Sequence, residues 1–318
     1  MSNYSQMKCV ALCGGVGGAK LALGLVHILP ADDLTLIVNT GDDFTHLGLH
    51  ISPDLDTVMY TLAGLANAQQ GWGREGESWA FMSALRKLGG EDWFQLGDLD
   101  LATHVERTRR LVAGEPLSRI TRDLFVALGV GARVLPMSDD PVRTRIHTAA
   151  GELAFQHYFV RDKCEPAVTG FHFAGSERAA PAPGVLAALR DPRLACIIIC
   201  PSNPFVSIDP ILSVPGIADA LRAASAPVIA VSPIVGGRAI KGPTAKMMRE
   251  LGVPQTAGAV AAHYAGLLDK FMVDETDAAL IPQLTAAGLV CEAAQTVMQS
   301  LQDRVNLARS VLDFAAKS

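Results

Sequence analysis

The sequence predicts an α/β protein: a Rossmann-like, mostly parallel sheet with helices on both faces and a largely helical insertion covering the carboxyl edge. Three observations predict it. Apolar runs at Cys9 to Cys13, Leu34 to Val38, Ala195 to Cys200 and Pro227 to Ser232 are short and unbroken, as strands buried on both faces of a parallel sheet are. The first run leads straight into Gly14-Gly15-Val16-Gly17-Gly18, followed by Lys20 and an apolar helix. Polar groups then gather where the apolar runs stop, at the edge where open α/β sheets bind ligands.

Taken in order, the glycine turn comes first. Glycines crowded between a strand and a helix let backbone N–H groups surround an anion, and the helix N-terminus adds a positive dipole end. Something phosphorylated is the expected ligand. A dinucleotide fingerprint begun at Gly15 finds its second glycine at Gly17, but the third falls on Lys20, where close packing wants no side chain. A phosphate loop begun at Gly14 needs glycine, lysine and a hydroxyl at positions 19 to 21, and finds Ala19, Lys20 and Leu21. Neither fits. Without that hydroxyl, a metal here must be held by carboxylates further along the chain.

Those carboxylates follow. The second strand ends in Asn39-Thr40-Gly41-Asp42-Asp43, and Ser52-Pro53-Asp54-Leu55-Asp56-Thr57 opens a helix whose start suits Pro53. An aspartate cap explains one of Asp54 and Asp56, not both. Two carboxylate pairs beside a phosphate cradle make a hard, oxygen-lined site suited to Mg²⁺.

Helical patterns at Asp54 to Leu65, Ser78 to Leu88, Thr103 to Val112 and Ser118 to Leu128 come next, then a hairpin of Val142 to Thr148 and Leu153 to Val160 with its turn at Ala149 to Glu152. The expected division is a nucleotide-binding core of residues 1–66 and 191–318, interrupted by a mainly helical insertion with a β-hairpin at 67–190. After the third apolar run, Pro201-Ser202-Asn203-Pro204-Phe205-Val206-Ser207-Ile208 presents hydroxyl and amide groups from a proline-stiffened turn. After the fourth, Ser232 to Pro243 adds glycines with Arg238 and Lys241, two cations able to meet phosphate charge. Ala293 to Ala316 reads as an amphipathic helix packed on the core or on a second subunit.

Composition narrows the class. The chain has 318 residues, 49% hydrophobic and 19% charged, enough for one large domain with an insertion and too apolar for disorder. A net charge of -5 and no basic run argue against nucleic acid. Met1 to Lys8 is short and polar, and no apolar stretch reaches the roughly 18 residues a bilayer needs, so no membrane partner and a cytoplasmic location are expected. Cys9, Cys13, Cys196 and Cys200 lie in or beside apolar runs, Cys164 and Cys291 stand alone, and no C-x-x-C pair suggests zinc. His46 and His50 are four apart, but in a glycine-broken loop rather than on a helix face.

Together with the runs LGDLDLATH (Leu96 to His104) and LPMSDDPVRT (Leu135 to Thr144), these segments resemble the CofD family of phospholactate transferases, which build the side chain of the deazaflavin coenzyme F-420. The resemblance runs from about Lys8 to Tyr264. It implies transfer of a phospho-three-carbon-acid group, phospholactyl, phosphoenolpyruvyl or phosphoglyceryl. The group would pass from a guanosine diphosphate-activated donor to the ribityl hydroxyl of 7,8-didemethyl-8-hydroxy-5-deazariboflavin, releasing GMP and requiring Mg²⁺. Residues 67–190 would then form the acceptor side. On this footing Asp43 and Asp56 hold the metal, and Asp54 meets the acceptor and acts as base, with Asp43 the second catalytic carboxylate. Roles among these neighbours are interchangeable on sequence grounds. The nucleotide would lie along Gly14, Gly15, Val16, Gly17, Gly18, Asn39, Thr40, Ser202, Asn203, Pro204 and Ser207, with Lys20, Arg238 and Lys241 at its phosphates. Leu99 stands where relatives often carry arginine after Gly97-Asp98, so Arg107 or Arg109 is a candidate to replace that charge. A homodimer is the expected assembly.

Other readings stay open beside it. A related branch with the same sheet binds UDP-sugars as a regulator of central metabolism; NTGDD, SPDLDT and LGDLDLATH, which look like an acceptor side, weigh against it here. A dehydrogenase is disfavoured by Lys20 and by Asn39 and Thr40 where an acidic ribose contact would end the second strand. A scaffold would leave four aspartates repelling one another with nothing bound.

Overall fold

The computed structural model describes residues 4, 7–67, 69–240 and 242–317. The first half of the chain runs through β1 (Lys8–Cys13), α1 (Gly15–Val26), β2 (Leu34–Val38), the hairpin strands β3 (Phe44–His46) and β4 (Leu49–Ile51), α2 (Pro53–Leu62), α3 (Ala80–Lys87), α4 (Asp98–Val112), α5 (Leu117–Ala127) and β5 (Arg133–Pro136). A small sheet follows, made of β6 (Arg143–Thr148), β7 (Gly151–Ala154) and β8 (Val168–Ala174). The second half continues with α6 (Val185–Leu189), β9 (Leu194–Ile199), α7 (Asp209–Ser213), α8 (Ile217–Arg222), β10 (Val228–Val231) and the two-residue strands β11 (Ile234–Val235) and β12 (Arg238–Ala239). It closes with α9 (Thr244–Glu250), α10 (Ala257–His263), β13 (Lys270–Asp274), α11 (Ile281–Ala286), β14 (Val290–Ala294) and α12 (Leu301–Ala316).

Seven strands form one sheet in the order β14-β13-β10-β9-β1-β2-β5, and every neighbouring pair is parallel. Both faces are covered, so its central strands can be apolar throughout. In β1, Val10 and Leu12 point into one core with Ile197, Ile211 and Met247, while Cys9, Ala11 and Cys13 point into the other with Leu25, Tyr60 and Leu312. The chain moves outward from β1 through β2 to β5, then returns to β9 and moves the other way through β10, β13 and β14. The order therefore reverses between β1 and β9, and the loops that leave these two strands part at their carboxyl ends to open a crevice.

Four of the seven sheet strands match the apolar runs read from the sequence; β5 and β14 correct that reading, and β13 was not read. Arg133–Pro136, inside the stretch 67–190 read as insertion, is the edge strand β5 of the main sheet, where a short strand led by a charged residue is tolerated. Val290–Ala294 pairs with β13, so the helix expected from Ala293 begins only at Leu301. Ser300 starts it with a capping box closed by Asp303. β13 begins at Lys270, which is buried; its Nζ donates to the carbonyls of Phe314, Ala315 and Lys317, so the negative end of α12 receives the ammonium.

The expected hairpin is present but shorter, because its second strand stops at Ala154 and the chain enters a π-turn at His157–Arg161. β8 adds a third strand to it. Among the described residues no helix is long and apolar enough to cross a membrane.

Candidate active site

The glycine turn is built to let the loop after β9 lie on it. A Cβ on Gly14 would stand 2.5 Å from Asp54 Oδ2 and 2.8 Å from Ser207 Cβ; one on Gly17 would stand 2.2 Å from the Pro201 carbonyl oxygen, and one on Gly18 2.7 Å from Ser202 Oγ. Any side chain at these three positions drives the two loops apart. Gly15 starts α1 with φ +61, a left-handed conformation that glycine adopts freely. Its N–H donates to Asp54 Oδ1 at 2.7 Å, and the Gly14 N–H donates to Ser202 Oγ at 3.3 Å, while Ser202 returns its own proton to the Gly14 carbonyl at 2.8 Å. The sequence reading gave all these amides to a phosphate. The structure gives Gly14 and Gly15 to protein partners and leaves the first-turn N–H groups of Val16 and Gly17, which no helix can satisfy internally, for an anion.

Asn39, fully buried at the end of β2, holds the crevice together. Its Nδ2 donates to Asp54 Oδ2 at 2.9 Å, to Asp42 Oδ1 at 3.1 Å and to the Val206 carbonyl at 3.2 Å; its Oδ1 accepts from the Gly41 N–H at 2.7 Å. One amide thus ties the turn after β2, the start of α2 and the turn after β9. Val206 lies in a π-turn, Pro204–Ile208, that Asn203 caps by accepting from the Phe205 N–H at 3.0 Å. Pro204 and Ser207 are buried in the same turn, Ser207 against Gly14 and Gly15. Thr40 is buried with no partner for its hydroxyl among the described residues, and so is Thr144, whose N–H donates to the Gly41 carbonyl at 2.7 Å.

Three carboxylates, Asp42, Asp43 and Asp54, converge here. Asp54 is pushed up to about 6 by burial, against the pull of Asn39 and the Gly15 N–H and with a further push from the charge of Asp43. Burial, then the charge of Asp54, carries Asp42 well above the usual carboxylate range despite Asn39. Asp43 Oδ2 accepts from Ser52 Oγ at 2.9 Å and stands 3.0 Å from His50 Nε2, while Asp43 Oδ1 is buried with no partner among the described residues. An orphaned carboxylate oxygen beside two carboxylates of raised pKa is the environment that a hard, oxygen-seeking dication relieves. The donor set therefore fits Mg²⁺, with Asp43 as the ligand that has an oxygen to give.

Asp56 belongs to a different cluster. Both of its oxygens bind Arg107 of α4, Oδ2 from Nη1 at 3.0 Å and Oδ1 from Nη2. His104 Nδ1 stands 3.7 Å from Asp56 Oδ2, and His104 Nε2 stands 3.2 Å from Asp100 Oδ2 without the alignment of a hydrogen bond. Tyr60 donates to Asp100 Oδ1 at 2.6 Å. Asp56, Asp100 and His104 could together surround an ion, but Arg107 already supplies the positive charge. The sequence paired Asp43 with Asp56 as metal ligands; in the structure both oxygens of Asp56 bond to Arg107, a partner 51 residues away that periodicity could not name.

The candidate cations fare unevenly. Lys20 donates to the Met298 carbonyl at 2.7 Å, on the face of α1 that packs on α12, as does Gly24 one turn on, where a Cβ would meet the Arg304 carbonyl at 2.1 Å. Arg238 is exposed on β12, after the two left-handed glycines 236 and 237, and Lys241 lies outside the described residues. Neither proposed substitute for a charge at position 99 is free for it, since Arg107 holds Asp56 and Arg109 makes a bidentate pair with Glu106. The cation beside Leu99 is Arg74, 3.5 Å from the Leu99 carbonyl and over the Tyr60 ring.

Two polar runs prove to be clasps. Asp98 accepts from Ser78 Oγ and from the Ala80 and Phe81 N–H groups, capping α3. Asp139 accepts from the Ser118 N–H and hydroxyl at the start of α5, and Asp140 from the Ala180 N–H. The residues that sequence reasoning missed are His50 and Ser52, which grip Asp43. Their signal was the Asp43 to Ser52 spacing itself, short enough for one tight hairpin.

The family model described as 2-phospho-L-lactate transferase CofD matches residues 9–307. The chain is 44% identical over 315 residues to proteins named phosphoenolpyruvate transferase in Streptomyces griseus and in Streptomyces coelicolor, covering 97% of this chain and 98% of each relative. A protein of the same name in Thermobifida fusca is 41% identical over 323 residues, with 97% of this chain and 98% of that one covered. Among solved structures, a UPF0052-family protein from Bacillus halodurans superposes with a TM-score of 0.62 at 17% identity, over 96% of this chain and 98% of that one, which shows the shared fold.

Proposed function

The chain belongs to the CofD family and is a transferase of that family, and from this premise we propose that it transfers a phosphoenolpyruvyl group from a guanosine diphosphate-activated donor to 7,8-didemethyl-8-hydroxy-5-deazariboflavin, releasing GMP. The phosphoenolpyruvyl choice rests on relatives 44% identical that carry that name. The observation that carries the site is the convergence of Val16, Gly17, Asn39, Asp42, Asp43 and Asp54 at the switch point between β1 and β9, with one oxygen of Asp43 buried and unpaired among the described residues.

In this reading the acceptor's terminal hydroxyl oxygen bonds to the phosphorus of the phospho-acid, the bond to the bridging oxygen breaks, and GMP departs with that oxygen. Asp54 takes the hydroxyl proton. A carboxyl pushed up to about 6 is poised for this near neutral pH, because it is mostly ionised and yet basic enough to accept. The N–H groups of Val16 and Gly17 and the dipole of α1 hold the donor's phosphate charge. Asn39 fixes Asp54 relative to the turn after β9, so that acceptor and donor meet in one geometry. Mg²⁺ held by Asp43, with Asp42 or Asp54 beside it, would neutralise the phosphate oxygens when bound.

Mass spectrometry of the protein incubated with Mg²⁺, the deazariboflavin and, separately, enolpyruvyl, lactyl and glyceryl guanosine diphosphates tests this. A mass gain on the acceptor with matching GMP, fastest for the enolpyruvyl donor, is the expected result. No gain with any donor, together with thermal stabilisation by a UDP-sugar, would replace the transferase reading with the regulatory one.

A further inference from the structure

We propose that the exposed face of the small sheet binds a transition-metal ion through His147, Glu152 and His172, a site separate from the crevice and independent of the transfer reading. Each of the three strands contributes one ligand. His147 of β6 lies directly opposite Glu152 of β7, and His172 of β8 pairs with Arg145, two residues before His147 on the same face. The alternation leaves no doubt about that face, since Ile146 between Arg145 and His147 is fully buried in the core and Phe171 and Phe173 on either side of His172 pack against it.

The donor atoms are already gathered. His147 Nε2 stands 2.8 Å from His172 Nδ1 and 3.8 Å from Glu152 Oε2, and His172 Nε2 stands 3.8 Å from the same oxygen. One donor atom from each of the three lies within 4.8 Å of the other two, against about 3.3 Å between ligands that stand about 2.0–2.1 Å from a tetrahedral zinc. Binding asks the set to close in and the bond between the two imidazoles to give way to the ion, and side chains about half exposed can turn to do so.

The chemistry selects the metal. Two neutral imidazoles and one carboxylate suit Zn²⁺ and its neighbours in the transition series, whereas Mg²⁺ prefers oxygen alone. Arg145 Nε stands 3.8 Å from Glu152 Oε1, which orients the carboxylate and leaves Oε2 facing the imidazoles. A water would complete the fourth position of a bound ion. An ion here pins three strands at their open end, and β6 leads back to Thr144 and its bond to the Gly41 carbonyl.

The test uses the full chain, stripped of metal and then given excess Mg²⁺, with Zn²⁺ titrated against a chromophoric chelator. One Zn²⁺ per chain is expected, with affinity falling about tenfold or more in His147→Ala and in His172→Ala, and less in Glu152→Gln. Co²⁺ should give the visible band of a tetrahedral N/O site in the parent and not in either histidine variant. All three variants should keep the Mg²⁺-supported activity, which separates a failure here from a failure of the transfer reading. Zn²⁺ stoichiometry and affinity identical in parent and variants, or no Zn²⁺ held against the chelator, would overturn the proposal.

Discussion

Asp54 and Asp56 sit two residues apart in the first turn of α2, both buried, and the protein treats them in opposite ways. Asp56 is fully compensated: Arg107 grips both of its oxygens, and the neighbouring Asp100 is held below the usual carboxylate range by His104, Tyr60 and Arg107 although burial pushes it up. Asp54 has amide donors but, among the described residues, no cation bonded to it, and shares its surroundings with Asp42 and Asp43. A buried charge whose partner is supplied by the chain fixes structure. A buried charge left without one is a place kept for something that arrives. The two clusters thus divide α2 into a side that holds α4 and a side that faces the crevice.

Removing charge from the uncompensated side should cost activity and spare the fold. Asp43→Asn and Asp54→Asn are each expected to lower turnover by about 10²–10⁴-fold with no loss of thermal stability, because repulsion is relieved. Rates near the parent value would remove that aspartate from the site. On the compensated side the signs reverse. Arg107→Met strands Asp56 and should cost about 3–5 kcal/mol in chemical denaturation, much of it regained in the double variant Asp56→Leu/Arg107→Met. Asp56→Asn should keep the Mg²⁺ dependence of the parent; losing it would return Asp56 to the metal site and merge the two clusters.

A pH titration sharpens the comparison. The folded chain holds a proton on Asp54 up to about pH 6, while the unfolded chain releases it near the ordinary aspartate value. Between these values the native state binds more protons, so the stability linked to Asp54 falls as pH rises through this window, by about 2–3 kcal/mol in all. Metal-free parent and Asp54→Asn should therefore diverge in melting temperature from pH 4 to pH 7, the variant gaining, and Mg²⁺ should shrink the gap. Parallel curves would mean that Asp54 is compensated after all. The smallest effect is expected of Tyr60→Phe, which removes one hydroxyl from Asp100 and Thr103: about 1–2 kcal/mol of stability and no change in turnover.

The strands that could be read from the sequence, at β1, β2, β9 and β10, are apolar because helices cover both their faces. The strands that could not are those whose composition answers to something else. β13 opens on a lysine because a helix end lies over it, and β14 carries alanines because it is an edge strand, partly exposed. That the glycine turn, Asn39, Asp43, Asp54, Ser202 and Ser207 would gather at one sheet edge was legible, since they follow the apolar strands directly. Arg107 was not legible as the partner of Asp56, because their meeting depends on how α2 and α4 pack. Nor was the bond from Lys20 to the Met298 carbonyl legible: its place after the glycines suggests phosphate, and it shares a helix face with Gly24, which is small to let α12 approach.

Lys270 shows how far such coupling reaches. The carbonyls that receive its ammonium belong to residues 314 to 317, so the last turn of α12 acts as a solvent shell for a cation inside the sheet. Clipping the chain before Phe314 would strip that shell and leave β13 with a dry charge it cannot hold. A protease that frays α12 therefore attacks the centre of the molecule from its rim, and the final helix works as a latch on the sheet's far half.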